Sequence, residues 1–232
     1  NPGVFPRKIK YGTDNMAKGP AMSREEAVKA IEVGIGMVAD LKEKGYNVLA
    51  TGEMGIGNTT TSSAVCSVLL DQSVEKVTGK GAGLTNKDLE HKIEVIRQSI
   101  ALNKVNADDP LDVLAKVGGL DIAGMAGCYI GGAALNIPVF IDGFISSVAA
   151  LIAIRLVPEC APYLFPSHCS NEPAGRMILD AIGKQPYIFA NMCLGEGTGA
   201  VMGFTIADYA FKAYWELPSF EQTNFGTYEE LN

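Results

Sequence analysis

The sequence predicts an α/β fold, with a parallel sheet covered by helices on both faces and glycine-rich loops at the carboxyl ends of the strands. Two observations carry that expectation. A unit of short apolar run, turn-forming loop and helix-like stretch recurs along the chain, and strands that alternate with helices build parallel sheets. The 232 residues are 47% hydrophobic and 19% charged, enough apolar mass for one buried core and unlike a disordered chain. The layout is Rossmann-like, and ligands of such sheets bind beyond the carboxyl ends of the strands.

Each element has its own signal. Residues 1–22 carry proline, glycine and charge without periodicity, and read as an extended N-terminal arm. Residues 23–232 read as a single α/β catalytic domain. Ser23 opens a helix, with Glu26 at capping-box spacing. Ala27, Ile31, Ile35, Val38 and Leu41 give that helix one apolar face, and Gly45 closes it. The run "NVLAT" is too short for a helix and suits a buried strand. It feeds "GEMGIGN", after which "TTTSSAVCSVLL" reads as a helix. Thr85 and Asp88, in cap spacing, open a helix carrying His91 and Lys92. "GGLDIAGMAGCYIGGAALN" is a helix whose small residues allow close backbone approach. Three further units follow. "IPVFID" leads through Gly143 to "FISSVAALIAIRL". "APYLF" leads through "PSHCSNE" to "PAGRMILDAIG", with Pro173 suited to a first helical turn. "PYIFANMCL" leads through "GEGTG" to "AVMGFTIADYAFKAYW".

Composition excludes several function classes. A net charge of −7 supplies no basic field for nucleic-acid phosphates. The five cysteines are scattered, odd in number and without a C-x-x-C pair, so they read as buried thiols in a reducing compartment. No charged-then-apolar leader opens the sequence, and the apolar run 145–156 is too short to cross a bilayer. A soluble, cytoplasmic protein with no membrane partner is expected. Two histidines and dispersed acids offer no metal constellation.

The loops carry the chemistry. Gly52, Gly55 and Gly57 join a strand to a helix start, where free N–H groups and the positive dipole end attract phosphate. Asn58, Thr59 and Thr60 add side-chain donors. The lysine of G-x-x-x-x-G-K-[ST] and the order G-x-G-x-x-G are both missing, which disfavours nucleotide hydrolysis and the usual dinucleotide site. "GKGAG" at 79–83 is a second candidate anion loop, expected at the same edge. Glu196 has glycine on both sides, and flanking Met192 and Leu194 can dry it into a usable base. Asp142, at another strand end, is placed to bond ribose hydroxyls or to cap the helix after it. His168 and Ser170 lack the G-x-S-x-G elbow of a nucleophile and read as a cap or a substrate contact.

"GEMGIGNTT", "GKGAGL", "GGLDIAGMAG", "IPVFIDGFISSVAAL" and "LGEGTGA", in this order, closely resemble the nicotinate-nucleotide–dimethylbenzimidazole phosphoribosyltransferase family, from about Ile9 to about Gly203. The resemblance implies transfer of phosphoribose from nicotinate mononucleotide to 5,6-dimethylbenzimidazole or a related aromatic base. The products are the α-riboside 5′-phosphate and nicotinate, in assembly of the lower ligand of cobamides. It implies Glu196 as general base, Glu53 as a second active-site glutamate and Lys92 as a lysine facing the nucleotide. Substrate contacts are expected at Gly55, Ile56, Gly57, Asn58 and Thr59, at Gly79, Gly81, Ala82 and Gly83, at Asp142, and at Leu194, Gly195 and Gly197. No pyrophosphate leaves, so no cofactor or metal is implied. Family members carry a further N-terminal region ahead of this sequence and form dimers. A homodimer is therefore expected, with a partner subunit of a heteromeric transferase as the alternative. Gly175 stands where the family usually has histidine and Cys193 where it usually has arginine, so the acceptor base stays open among benzimidazoles, purines and phenols.

Overall fold

In a computed structural model of the chain, residues 4–223 are described; residues 1–3 of the expected arm and 224–232 of the expected domain lie outside them. The rest of the arm is held on the body. Met16, Ala21 and Met22 are buried, and the Ala21 and Met22 N–H groups donate to the carbonyls of Lys116 and Ala115.

Helix α1 spans Arg24–Glu43, and its capping box is complete: Ser23 Oγ accepts from the Glu26 N–H while the Glu26 carboxylate accepts from the Ser23 N–H. Strand β1, Leu49–Ala50, leads to α2, Asn58–Leu70; α3, Val74–Val77, precedes α4, Asn86–Asn103. After α5, Pro110–Val117, comes the small-residue helix α6, Leu120–Ala134. It packs on α1 so closely that a Cβ at Gly34 would collide with the Gly124 carbonyl, and one at Gly127 with that of Ile31. The expectation from small residues holds.

Strand β2, Val139–Ile141, lies between β1 and β3, Leu164–Pro166, and pairs parallel with both. Alternation along β2 sorts its side chains. Val139 and Ile141 belong to the core with α7, Phe144–Leu156, and α6, whereas Phe140 meets Phe204 of α9, Thr198–Glu216, edge-to-face at 4.9 Å. Helices thus lie on both faces of a small sheet.

Four expectations need correction. "PYIFANMCL" is not a strand; it makes one parallel bridge, Ile188 to His168. Pro186 has no N–H to offer, and pairing begins beyond it, with the Tyr187 and Ile188 N–H groups on the Ser167 carbonyl. The loop at 79–83 follows helix α3 rather than a strand, so of the glycine-rich loops only 52–57 leaves a strand. Pro173 precedes helix α8, Gly175–Ala181, instead of entering its first turn. The thiols are all free, but only Cys66 and Cys160 are buried, and Cys193 is exposed.

Candidate active site

Thr51 fixes the end of β1. Its Oγ lies 2.6 Å from the buried Tyr129 hydroxyl on α6 and 3.2 Å from the Phe140 carbonyl oxygen. From that anchor the chain turns through Gly55 and Gly57, both with positive φ, into α2. No side chain caps α2, so its first N–H groups are open to a ligand. The same holds for α7 at Gly143. Both helix starts border one cavity of about 280 Å³.

Of the expected residues, Glu53, Gly55, Ile56, Thr59, Gly81, Ala82, Leu194, Gly195 and Glu196 line this cavity. The 79–83 loop reaches it although it follows a helix. Gly81 is pressed on Thr59, with a positive φ and a Cβ position 2.8 Å from Thr59 Oγ1. Lys92 stands behind the wall, buried, with Nζ donating to Thr59 Oγ1 and to the Gly79 carbonyl at 3.0 Å each. Burial lowers its pKa, and the nearby Glu172 carboxylate opposes that. Glu172 also lines the cavity, its pKa raised by burial and lowered by Lys92. Glu172 carries no motif in the sequence; its one signal there is its place in the loop after β3. Gly57, Asn58, Gly79, Gly83 and Asp142 do not line the cavity.

Glu53 has a specific set of partners. Its Oε2 accepts from the Gly55 N–H at 2.5 Å and from the Asn58 amide at 2.7 Å. That same amide nitrogen donates to Asp121, at the start of α6. Burial raises the Glu53 pKa, and the two donated hydrogen bonds work against it. Two donors expected to face phosphate therefore hold a carboxylate.

The Glu196 loop is docked on the Glu53 loop. The Glu196 N–H donates to the Glu53 carbonyl at 2.9 Å, and a Cβ on Gly195 would sit 2.9 Å from Glu53 Oε1. Glu53 and Glu196 also border a second, more open concavity, lined on its far side by Ala50, Thr51, Gly197 and Val201. The two glutamates thus stand where two concavities meet. Drying by neighbours is not observed: Leu194 is 66% exposed and Glu196 is itself exposed. The loop lies at the rim of the cavity, with the Glu196 side chain toward solvent. Asp142 is 1% exposed and both its oxygens are taken by backbone N–H groups of α9 rather than by the helix that follows it. His168 and Ser170, both buried, reach the cavity wall. Gly175 is pressed against Ser170, where a Cβ would collide with the Ser170 carbonyl, so a histidine there requires a different backbone. Among the described residues no group of histidines, cysteines and acids is arranged to hold a metal ion.

The α/β frame thus brings glycine-rich loops and two glutamates to the border of one cavity. The chain belongs to the phosphoribosyltransferase family, which it matches over residues 2–225. It is 55% identical over 230 residues to the nicotinate-nucleotide–dimethylbenzimidazole phosphoribosyltransferase of Ruminiclostridium cellulolyticum, covering 99% of this chain and 65% of that protein. The enzyme of the same name from Acetivibrio thermocellus is 51% identical over 98% of this chain and 65% of its own. The chain therefore spans about 65% of the length of these curated relatives. The crystal structure of CobT from Thermus thermophilus superposes with a TM-score of 0.90 at 35% identity, over 96% of this chain and 66% of that one.

Proposed function

We propose that the chain transfers phosphoribose from nicotinate mononucleotide to 5,6-dimethylbenzimidazole or a related base, giving α-ribazole 5′-phosphate and nicotinate. The observation that carries this reading is the junction of two concavities at Glu53 and Glu196. The cavity bordered by the α2 and α7 helix starts, with Lys92 behind Thr59, suits an anionic phosphoribose. The open concavity beyond the glutamates suits a flat aromatic acceptor.

The chemistry follows from that placement. Nicotinate mononucleotide carries a pyridinium that departs as neutral nicotinate ring, so the leaving group needs no protonation. The acceptor azole attacks the anomeric carbon through one nitrogen and must lose the proton on the other. Glu196, at the junction, accepts that proton, a step commonly contributing about 10²–10⁴ in rate. Attack from the face opposite the pyridinium inverts the carbon and yields the α linkage. Glu53 lies beside the reacting centre, where its charge suits the cationic ring, while phosphate sits toward Gly81, Ala82 and the start of α2.

The full layout is Rossmann-like, extending the three parallel strands. The arm and domain divide near Ser23. The enzyme is cytoplasmic, as its free thiols suit, and the described residues contain no helix long and apolar enough to cross a membrane. A homodimer, or pairing with a related chain, is supported by Tyr209, Phe211, Tyr214 and Trp215, which are 64–76% exposed along α9.

Incubation with nicotinate mononucleotide and dimethylbenzimidazole tests the reading. Acceptor-dependent nicotinate release is expected, undiminished by chelation and reduced about 10²-fold or more in Glu196→Gln. Nucleotide binding without release under any acceptor contradicts it and favours a partner subunit.

A further inference from the structure

The turn that carries Glu196 is unusual in its backbone. Gly195, Glu196 and Gly197 have φ of 78°, 58° and 77°, three left-handed residues in succession. Glycine adopts that region freely, but a residue with a Cβ does so only against a steric penalty. Such a conformation persists only where surrounding structure over-determines it.

Two sets of contacts over-determine it. Before Glu196, the loop is tied to the Glu53 carbonyl. After it, the tie is Asp142. Asp142 Oδ2 accepts from the Gly197 N–H at 2.9 Å, and Oδ1 accepts from Gly199 at 2.7 Å and Ala200 at 3.3 Å. These are the orphan donors of α9, whose Gly197 N-cap has no side chain of its own. The carboxylate comes from the end of β2, the central strand, 55 residues away in sequence from Gly197. There is no slack at the joint. A Cβ on Gly199 would collide with His168 Nδ1, and one on Gly52 with the Gly197 N–H.

We propose that Asp142 is a positioning residue for the reaction: its carboxylate fixes the backbone of Gly197–Ala200, and so holds Glu196 in its left-handed turn at the junction of the two concavities. The contrast with α2 and α7 supports this. Their starts are uncapped and border the cavity, so they remain available to substrate, whereas the start of α9 is closed by a buried acid. The inference rests on the reading of Glu196 as proton acceptor. It removes Asp142 from the ribose contacts expected from sequence.

Asp142→Asn is the test, since it keeps the shape but turns one acceptor into a donor facing backbone N–H groups. The expected result is a fall in kcat of about 10- to 100-fold, the scale of a lost charge-assisted hydrogen bond, with KM for nicotinate mononucleotide within about threefold. In a Glu196→Gln background the same change should alter kcat by less than about twofold, because residues acting as a unit are not additive. Amide exchange at Gly197, Gly199 and Ala200 should quicken about tenfold or more while that of α2 stays unchanged. A rise in KM with kcat intact would restore the ribose contact and overturn the inference, as would an additive loss in the Glu196→Gln background. Unchanged exchange at the three amides overturns it even if the chain turns over no substrate, an outcome that would separately defeat the functional reading. If Asp142→Asn does not fold, Asp142→Ser, shorter and still an acceptor, enters the same measurements.

Discussion

Glu53 joins two requirements that pull against each other. Its carboxylate is held by the Gly55 N–H and the Asn58 amide, yet burial raises its pKa above the ordinary 4.5. For a carboxyl group raised in the folded state, the unfolded chain releases its proton first. Folded stability is therefore undiminished below the ordinary value, falls as pH rises through it toward the raised value, and stays reduced above. Glu53→Gln should then raise the melting temperature at pH 7 and lose that advantage as pH falls below about 4.5. Thermal unfolding of both proteins across that range checks it, and an equal gain at every pH would contradict the assignment. Transfer should be slower in the same variant, which would make Glu53 an acid kept for chemistry at the expense of stability. The residue type and its loop were legible in the sequence. Its partners were not, because hydrogen bonds from Gly55 and Asn58 depend on the three-dimensional turn.

At the scale of elements, helix starts are written locally in the sequence, and strand pairing is not. Ser23 with Glu26, and Thr85 with Asp88, mark helix starts that the structure places at Arg24 and Asn86. Such caps are local, so a short window contains them. "PYIFANMCL" has strand composition but lies beyond β3 with one bridge, since pairing is decided by neighbours far away in sequence. Asp142 shows the same limit: a cap for the next helix is the local expectation, and the helix it caps begins at Thr198. Small residues were the most reliable long-range signal. Gly34 and Gly127 let α1 and α6 approach until backbone meets backbone, whereas Gly36 on the same helix α1 has no atom within 4 Å of an added Cβ. Gly127→Ala should cost about 1–3 kcal/mol or more by denaturant unfolding, through overpacking. Gly36→Ala should gain about 0.5–1 kcal/mol from helix propensity. A similar effect at the two positions would refute the close-packing account of α6.

Over the whole molecule, the sheet gathers the chemistry on one edge and leaves another face apolar. Loops after β1, β2 and β3 meet at the cavity, and the 79–83 loop reaches it from α3. On the far side, Phe140, Phe165, Phe204 and Phe211 line an apolar groove of about 750 Å³ beside β1 and α9. The groove lies against the three-stranded sheet, on the side opposite the α6 and α7 core. Glu53, Glu196 and the start of α2 all border the cavity on the opposite edge. The most direct test of the catalytic claim is a crystal structure with nicotinate mononucleotide bound. The account predicts phosphate beside Gly81, Ala82 and the start of α2, with the anomeric carbon between Glu53 and Glu196. Nucleotide bound elsewhere, or Glu53 turned to bulk solvent beside a seated nucleotide, would contradict it.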